Sequence, residues 1–168
     1  MDTFHEQKSS NGLLWQSLIK MITNSLKQDR GTFWTEERVM KLSDKLINQI
    51  SNQPKFEKQS GVDNQIVAVG IVQLANNSRT DSTMRKINGN VLLQMRNESA
   101  SVRQVALDTC QALWSDIPDK MISFIPETVS SFLTECLEDS DEIVVAKSKS
   151  LLKFIETETG ESLEAYLT

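Results

Sequence analysis

The chain has 168 residues, of which 39% are hydrophobic and 24% charged, enough for one globular domain with a core and too apolar for a disordered tail. No run approaches the roughly 20 apolar residues of a membrane span, and the polar start MDTFHEQKSSNG lacks a basic-then-apolar signal, so the sequence reads as a soluble protein of the cytosol or nucleus. The net charge of −5 is uneven: residues 1–100 carry 13 Lys/Arg against 10 Asp/Glu, and residues 101–168 carry 5 against 13, so the last third, at −8, repels phosphates and is a poor nucleic-acid surface.

Residues 1–11 are polar and are expected to be disordered, and 12–168 form a single domain in which eight helical segments and no strand are expected. The first helix covers about 12–28, where Trp15, Ile19, Ile22 and Leu26 step by four, three and four, with Leu14, Leu18 and Met21 widening the stripe. Gly31 then suits a left-handed position. Thr35 is a helix N-cap, Glu36 and Glu37 complement the helix dipole, and Trp34 and Val39 have hydrophobic-staple spacing. The second helix runs to about 51, with Val39, Leu42, Leu46 and Ile50 inward. A loop follows around Pro54, docked by Phe56.

The third helix, about 62–76, is apolar nearly all round, which marks a central element covered on several sides. Its run VAVGIV is also compatible with a buried strand by periodicity alone; length and helical neighbours favour a helix. The fourth, about 82–96, places Met84, Ile87, Val91 and Met95 together. It carries Gly89, whose cost of roughly 1 kcal/mol against Ala predicts a tightly packed neighbour. The fifth, capped by Ser99, turns Val102, Ala106, Cys110 and Leu113 inward. After the turn PDKMISF, Pro126 suits the first position of the sixth helix, whose stripe is Val129, Phe132, Leu133, Cys136 and Leu137. Ser140 is placed to cap the seventh helix, with Val144, Ser148, Leu151, Leu152 and Ile155 inward. Gly160 closes it, and ESLEAYL forms a short last helix.

The fifth and seventh helices repeat. A shift of 42 residues sets Val102 on Val144, Ala106 on Ser148, Cys110 on Leu152 and Leu113 on Ile155, and each helix follows a short polar turn, NESAS or EDSDE. Two helices per period of about 40 residues is the signature of a HEAT or armadillo α-solenoid of stacked hairpins. A hairpin of this size cannot bury its apolar face alone, so stacking supplies the cover, and Ala106 and Ser148 are small where two helices close in. The alternative is a non-repetitive helical bundle.

The order of the C-terminal elements carries a resemblance. Val102-Arg103 leads a helix; Ile125-Pro126-Glu127-Thr128, the turn Leu137-Glu138-Asp139, then Gly160-Glu161-Ser162-Leu163 and Tyr166-Leu167 follow. This order resembles the C-terminal end of the large HEAT-repeat protein family associated with U3 small nucleolar RNA. The upstream SLKQDRGTFWTEERVMKLSDKLINQI is similar more loosely. The resemblance implies an all-α solenoid that is the C-terminal fragment of a longer protein. It further implies a non-enzymatic scaffold of the small-subunit processome, in its UtpA subcomplex, acting in pre-ribosomal RNA processing in the nucleolus. Partners would be other protein subunits of that ribonucleoprotein, with at most weak direct RNA contact and neither membrane nor small-molecule substrate. The alternative is a generic HEAT adaptor in transport, cytoskeletal or phosphatase assemblies.

No catalytic, cofactor-binding or metal-ligating residue is assigned. The one histidine, His5, sits in the polar start, which argues against Ser-His-Asp, Cys-His and zinc-His sites. No phosphate-binding glycine loop is present, and EDSDE lacks EF-hand spacing. Cys110 and Cys136 fall on apolar stripes and are read as buried thiols. Ser140, before Asp141-Glu142, is a candidate for an acid-directed kinase, though a plain N-cap is the favoured role. Trp15, Trp34 and Trp114 are either partner anchors or, preferably, core residues.

Overall fold

The computed structural model describes the backbone from Thr3 to Thr168 and the side chains from Asn11 onward. The described residues are helical and contain no strand, so the run VAVGIV is a helix. The order is α1 (Thr3–Gln28), α2 (Glu36–Ile47), α3 (Gln49–Phe56), α4 (Ile66–Asn76), α5 (Asp81–Gln94), α6 (Ala100–Asp116), α7 (Pro118–Met121), α8 (Thr134–Leu137) and α9 (Glu142–Thr159). A 3₁₀ turn (Ile122–Phe124) and a π-helical stretch (Glu127–Leu133) join α7 to α8, and a 3₁₀ turn (Glu164–Tyr166) lies in the tail. The stretch 1–11, expected to be disordered, enters α1 at Thr3; Met1 and Asp2 lie outside the described residues.

The helices form two rows. α1, α4, α6 and α9 stack in that order, each packed on the next. The second row, α2 with α3, then α5, then the segment from α7 to α8, lies against the first, with α2 on α5. This is an α-solenoid of hairpins, and it places α4 and α6 at the centre. Eight residues of α4 are buried, which is why its sequence is apolar nearly all round.

The 42-residue register holds in space. Val102, Ala106, Cys110, Leu113, Val144, Ser148, Leu152 and Ile155 are all buried, with Ala106 and Ser148 at 0% exposure, and α6 packs on α9. Small residues recur at the crossings of the first row. A Cβ on Gly70 of α4 would stand 3.0 Å from Thr23 Oγ1, 3.5 Å from Ile19 Cγ2 and 3.7 Å from Leu46 Cδ1. Thr23, Thr109 and Ser148 satisfy their buried hydroxyls by donating to the carbonyls of Ile19, Val105 and Val144, each at 2.8 Å. Gly89, by contrast, has nothing within 4 Å of its would-be Cβ. The close approach expected at Gly89 lies at Gly70, because Gly70 faces the stack and Gly89 does not.

Other boundaries differ from the sequence reading for local reasons. The second helix breaks at Asn48, and α3 continues through Pro54, which had been expected in a loop. Burial of Ile50 and Gln53, and the Gln53 amide donated to Asn64 O at 2.5 Å, hold that turn. Phe56 docks as expected, stacked on Trp15 at 4.9 Å. Residues 62–65 form a turn before α4, since the Asp63 carboxylate accepts the amide of Gln65 and Gln16 accepts the amide of Asp63. The sixth helix is π-helical after Pro126, because both the amide and the hydroxyl of Thr134 donate to Val129 O, five residues back. Thr35 caps α2 through Arg38 N, and Gly31 and Gly160 take positive φ, as expected. Ser99 stands at the start of α6 without a side-chain capping bond. Ser140 does not cap α9: Asp141 Oδ1 accepts from Ile143 N and Val144 N.

Candidate interaction surfaces

The charged side chains are spent first on holding units together, across about one repeat of sequence. Glu36 accepts from Arg79 N, Thr80 N and Thr80 Oγ1, tying the start of α2 to the turn before α5. Burial alone would raise its pKa, but hydrogen bonds from Thr83, Thr80 and Arg79 outweigh it and hold the carboxyl below the usual range. Asp44 takes Lys86 and Asn90 at 3.1 Å each. Arg96 forks onto Glu135 at 2.7 Å through two nitrogens and lies over the Phe132 ring.

Arg103 is the most enclosed of these charges, its side chain and that of Asp139 each 12% exposed. It forks onto Asp139 at 2.8 and 2.7 Å and donates to the carbonyls of Asn97 and Glu98, fastening two successive turns. The guanidinium holds Asp139 below the usual carboxylate range, and Asp139 in turn raises Arg103. Lys120 reaches back to α4 and donates hydrogen bonds to the carbonyls of Ala75, Asn76 and Ser78, closing that helix end. Burial lowers its pKa. No local sequence pattern announced this bond, because its partners lie more than 40 residues away.

The residues singled out as possible sites separate clearly. Trp114 is fully buried and is core. Trp34 is half-buried and donates its indole N–H to Ser25 Oγ. Trp15 is half-buried, donates to Gln49 Oε1 and lines a groove. Cys110 and Cys136 are free, buried thiols; burial pushes Cys110 up to about 12 and also raises Cys136. The side chain of His5 lies outside the described residues. Among the described residues no group of three or more His, Cys, Asp or Glu is placed to hold a metal ion, and no helix is long and apolar enough to cross a membrane.

Two kinds of surface remain. Along the outside of the first row, a shallow groove between α4 and α6 (Gln65, Asp108, Gln111, Ser115) is mainly polar, and one between α6 and α9 (Gln111, Lys153, Phe154, Thr157) is mainly apolar. Between α1 and α2 lies an apolar groove of about 290 Å³ lined by Trp15, Leu18, Ile22, Leu42, Lys45 and Gln49. Leu14, Leu18 and Met21 continue it at 58%, 49% and 62% exposure. The sequence showed these three as part of one widened stripe; in the fold they face away from α4.

Such a stack of hairpins offers long surfaces for macromolecules, and comparison with known proteins shows which one it matches. U3 small nucleolar RNA-associated protein 10 of Mycosarcoma maydis is 30% identical over 165 residues, 92% of this chain. HEAT repeat-containing protein 1 of Homo sapiens is 30% identical over 158 residues, again 92% of the chain. The chain is homologous to one segment of this HEAT-repeat family. The Schizosaccharomyces pombe U3 small nucleolar RNA-associated protein 10 is 27% identical over 96% of the chain. The chain spans only 7%, 7% and 10% of the length of these three relatives, in the order given. No protein-family model matches it. None of the three names denotes an enzyme.

Proposed function

We propose that this chain is a C-terminal segment of a long, non-enzymatic HEAT-repeat scaffold that acts in the nucleolus, in pre-ribosomal RNA processing within the small-subunit processome. What carries the reading is similarity over 92% of the chain to proteins named for association with U3 small nucleolar RNA. The two-row stack supports it, since such a stack presents extended surfaces to macromolecular partners. Its partners are other protein subunits of the pre-ribosomal particle. Direct RNA contact by this segment is weak, because residues 101–168 carry 13 acidic and 5 basic side chains.

The test is tagging the full-length parent in its own cells. Nucleolar localisation, co-purification of pre-ribosomal subunits and accumulation of unprocessed ribosomal RNA on depletion are expected. A parent protein that stays out of the nucleolus, and whose depletion leaves precursor RNA unchanged, refutes the reading. Filter retention of RNA by the isolated chain is expected to be weak at physiological salt, and tight, salt-insensitive retention contradicts the weak-contact part.

A further inference from the structure

Asparagine followed by glycine is a chemically labile step in a polypeptide. Glycine has no side chain to shield its nitrogen, and it passes freely through the backbone conformations that bring that nitrogen to the asparagine side chain. The chain has two such steps, Asn11-Gly12 in α1 and Asn88-Gly89 in α5. The fold treats them differently. Asn11 is exposed. Asn88 is fully buried, and neither its Oδ1 nor its Nδ2 has a hydrogen-bond partner among the described residues.

We propose that Asn88-Gly89 is a deamidation site which the folded stack keeps silent, and that its reaction, once α5 opens, bars the chain from refolding. In the reaction the Gly89 nitrogen gives up its proton to solvent and bonds to Asn88 Cγ. The bond from Cγ to the side-chain nitrogen breaks, and that nitrogen takes a proton from solvent and leaves as ammonia. Water then opens the cyclic imide at either carbonyl, leaving aspartate or isoaspartate. In sum a water is consumed and an ammonia released, with nothing oxidised or reduced.

The fold blocks the first step in two ways. Within α5 the Gly89 N–H belongs to the helix ladder, and helical geometry holds its nitrogen out of line with the preceding Cγ. Burial of Asn88 keeps out the water that exchanges the protons. Crowding at Gly89 is not the cause, since nothing lies within 4 Å of its would-be Cβ. The lock is tertiary, because Asn88, Gly89 and Asn90 are successive weak helix formers inside a 14-residue helix. What holds them is packing on α2 and α6, together with Asp44 of α2, which takes Lys86 Nζ and Asn90 Nδ2 at 3.1 Å on either side of the step.

The product does not fit where the amide sat. Aspartate at position 88 puts a carboxylate where Oδ1 and Nδ2 already find no partner, and an unpaired buried charge is strongly unfavourable. Isoaspartate adds a methylene to the backbone and breaks the ladder of a helix that packs on two others. At the exposed Asn11 a new carboxylate stays in water, so that site serves as the internal reference.

The test incubates the 168-residue chain in mildly alkaline buffer, with and without denaturing urea, and reads amide loss at Asn11 and Asn88 by peptide mass. In urea both are expected to react at similar rates. In the native protein Asn88 is expected to react at least about a hundredfold more slowly than in urea, since only opening of α5 admits the reaction. The partly reacted urea sample is then diluted to refold and given a short protease pulse that digests unfolded chains. The surviving protein is expected to retain Asn88 while carrying modified Asn11 at its starting proportion. Gly89→Ala should slow the loss at Asn88 in urea, where folding plays no part. Loss at Asn88 as fast in the native protein as in urea overturns the silent site. Modified position 88 in the surviving protein at its starting proportion overturns the block on refolding, and a Gly89→Ala rate in urea equal to that of the unmodified sequence overturns attack by the Gly89 nitrogen.

Discussion

Gly70 of α4 and Gly89 of α5 give a sharp test of the stack, because an added methyl is crowded at the first and free at the second. Both sit inside helices, where replacing Gly by Ala stabilises by about 1 kcal/mol when the space is free. At Gly89 nothing lies within 4 Å of the new methyl, so Gly89→Ala is expected to stabilise by about 0.5–1 kcal/mol. At Gly70 the methyl stands 3.0 Å from Thr23 Oγ1 across the α1–α4 contact. Overpacking a tight site costs roughly 1–3 kcal/mol, so after the helix-propensity gain Gly70→Ala nets about 0–2 kcal/mol of destabilisation. The two variants should therefore differ by about 1 kcal/mol or more. Urea unfolding followed by circular dichroism resolves that as a midpoint gap of about 0.5 M, for a slope of about 2 kcal/mol/M. Thr23→Ala removes the obstructing hydroxyl, so the double variant should show a coupling of about 1 kcal/mol between positions 23 and 70. Gly70→Ala that is as stable as Gly89→Ala, with no coupling to Thr23, refutes the close approach of α1 and α4.

Ala106→Leu and Ser148→Leu should each cost roughly 1–3 kcal/mol in the same assay, since both side chains, one on α6 and one on α9, are fully buried. Arg103→Met should cost about 2–4 kcal/mol by leaving Asp139 unpaired, and adding Asp139→Leu should recover most of it. Because Asp139 is held below its ordinary value, the pair's stability is full above about pH 5 and is lost as pH falls through the folded-state value; the Arg103→Met protein should show a flatter acid limb in unfolding measured against pH. Lys120→Met should lower stability by about 1–2 kcal/mol and speed hydrogen exchange at the end of α4, whose carbonyls lose their donor. Cys110, buried and shifted up to about 12, should resist Ellman's reagent in the native protein and react in 6 M urea together with Cys136; fast native reaction at Cys110 would contradict its burial.

Much of the local structure was written in short windows of sequence. Trp15, Ile19, Ile22 and Leu26 announce one face of α1, Thr35 caps α2, Gly160 ends α9, and the 42-residue register pairs Ala106 with Ser148. Helical periodicity, capping chemistry and repeat spacing act over a few residues or recur at a fixed interval, so a linear reading captures them. The order of turns at the C-terminal end likewise sufficed to indicate the family.

What the chain does across 35 to 50 residues was settled only in three dimensions. Gly70 and Gly89 look alike in sequence, yet one meets Thr23 and the other meets nothing. Pro54 reads as a helix breaker until Ile50 and Gln53 are seen buried, and Ser140 reads as a cap until Asp141 takes that role. Leu14, Leu18 and Met21 belong by periodicity to the same stripe as Ile19 and Leu26, and only the stack leaves them outside. The reason is geometric. A sequence fixes which residues share a helix face, but a helix in a stack has more than one apolar side, and which side is covered depends on where its neighbours lie.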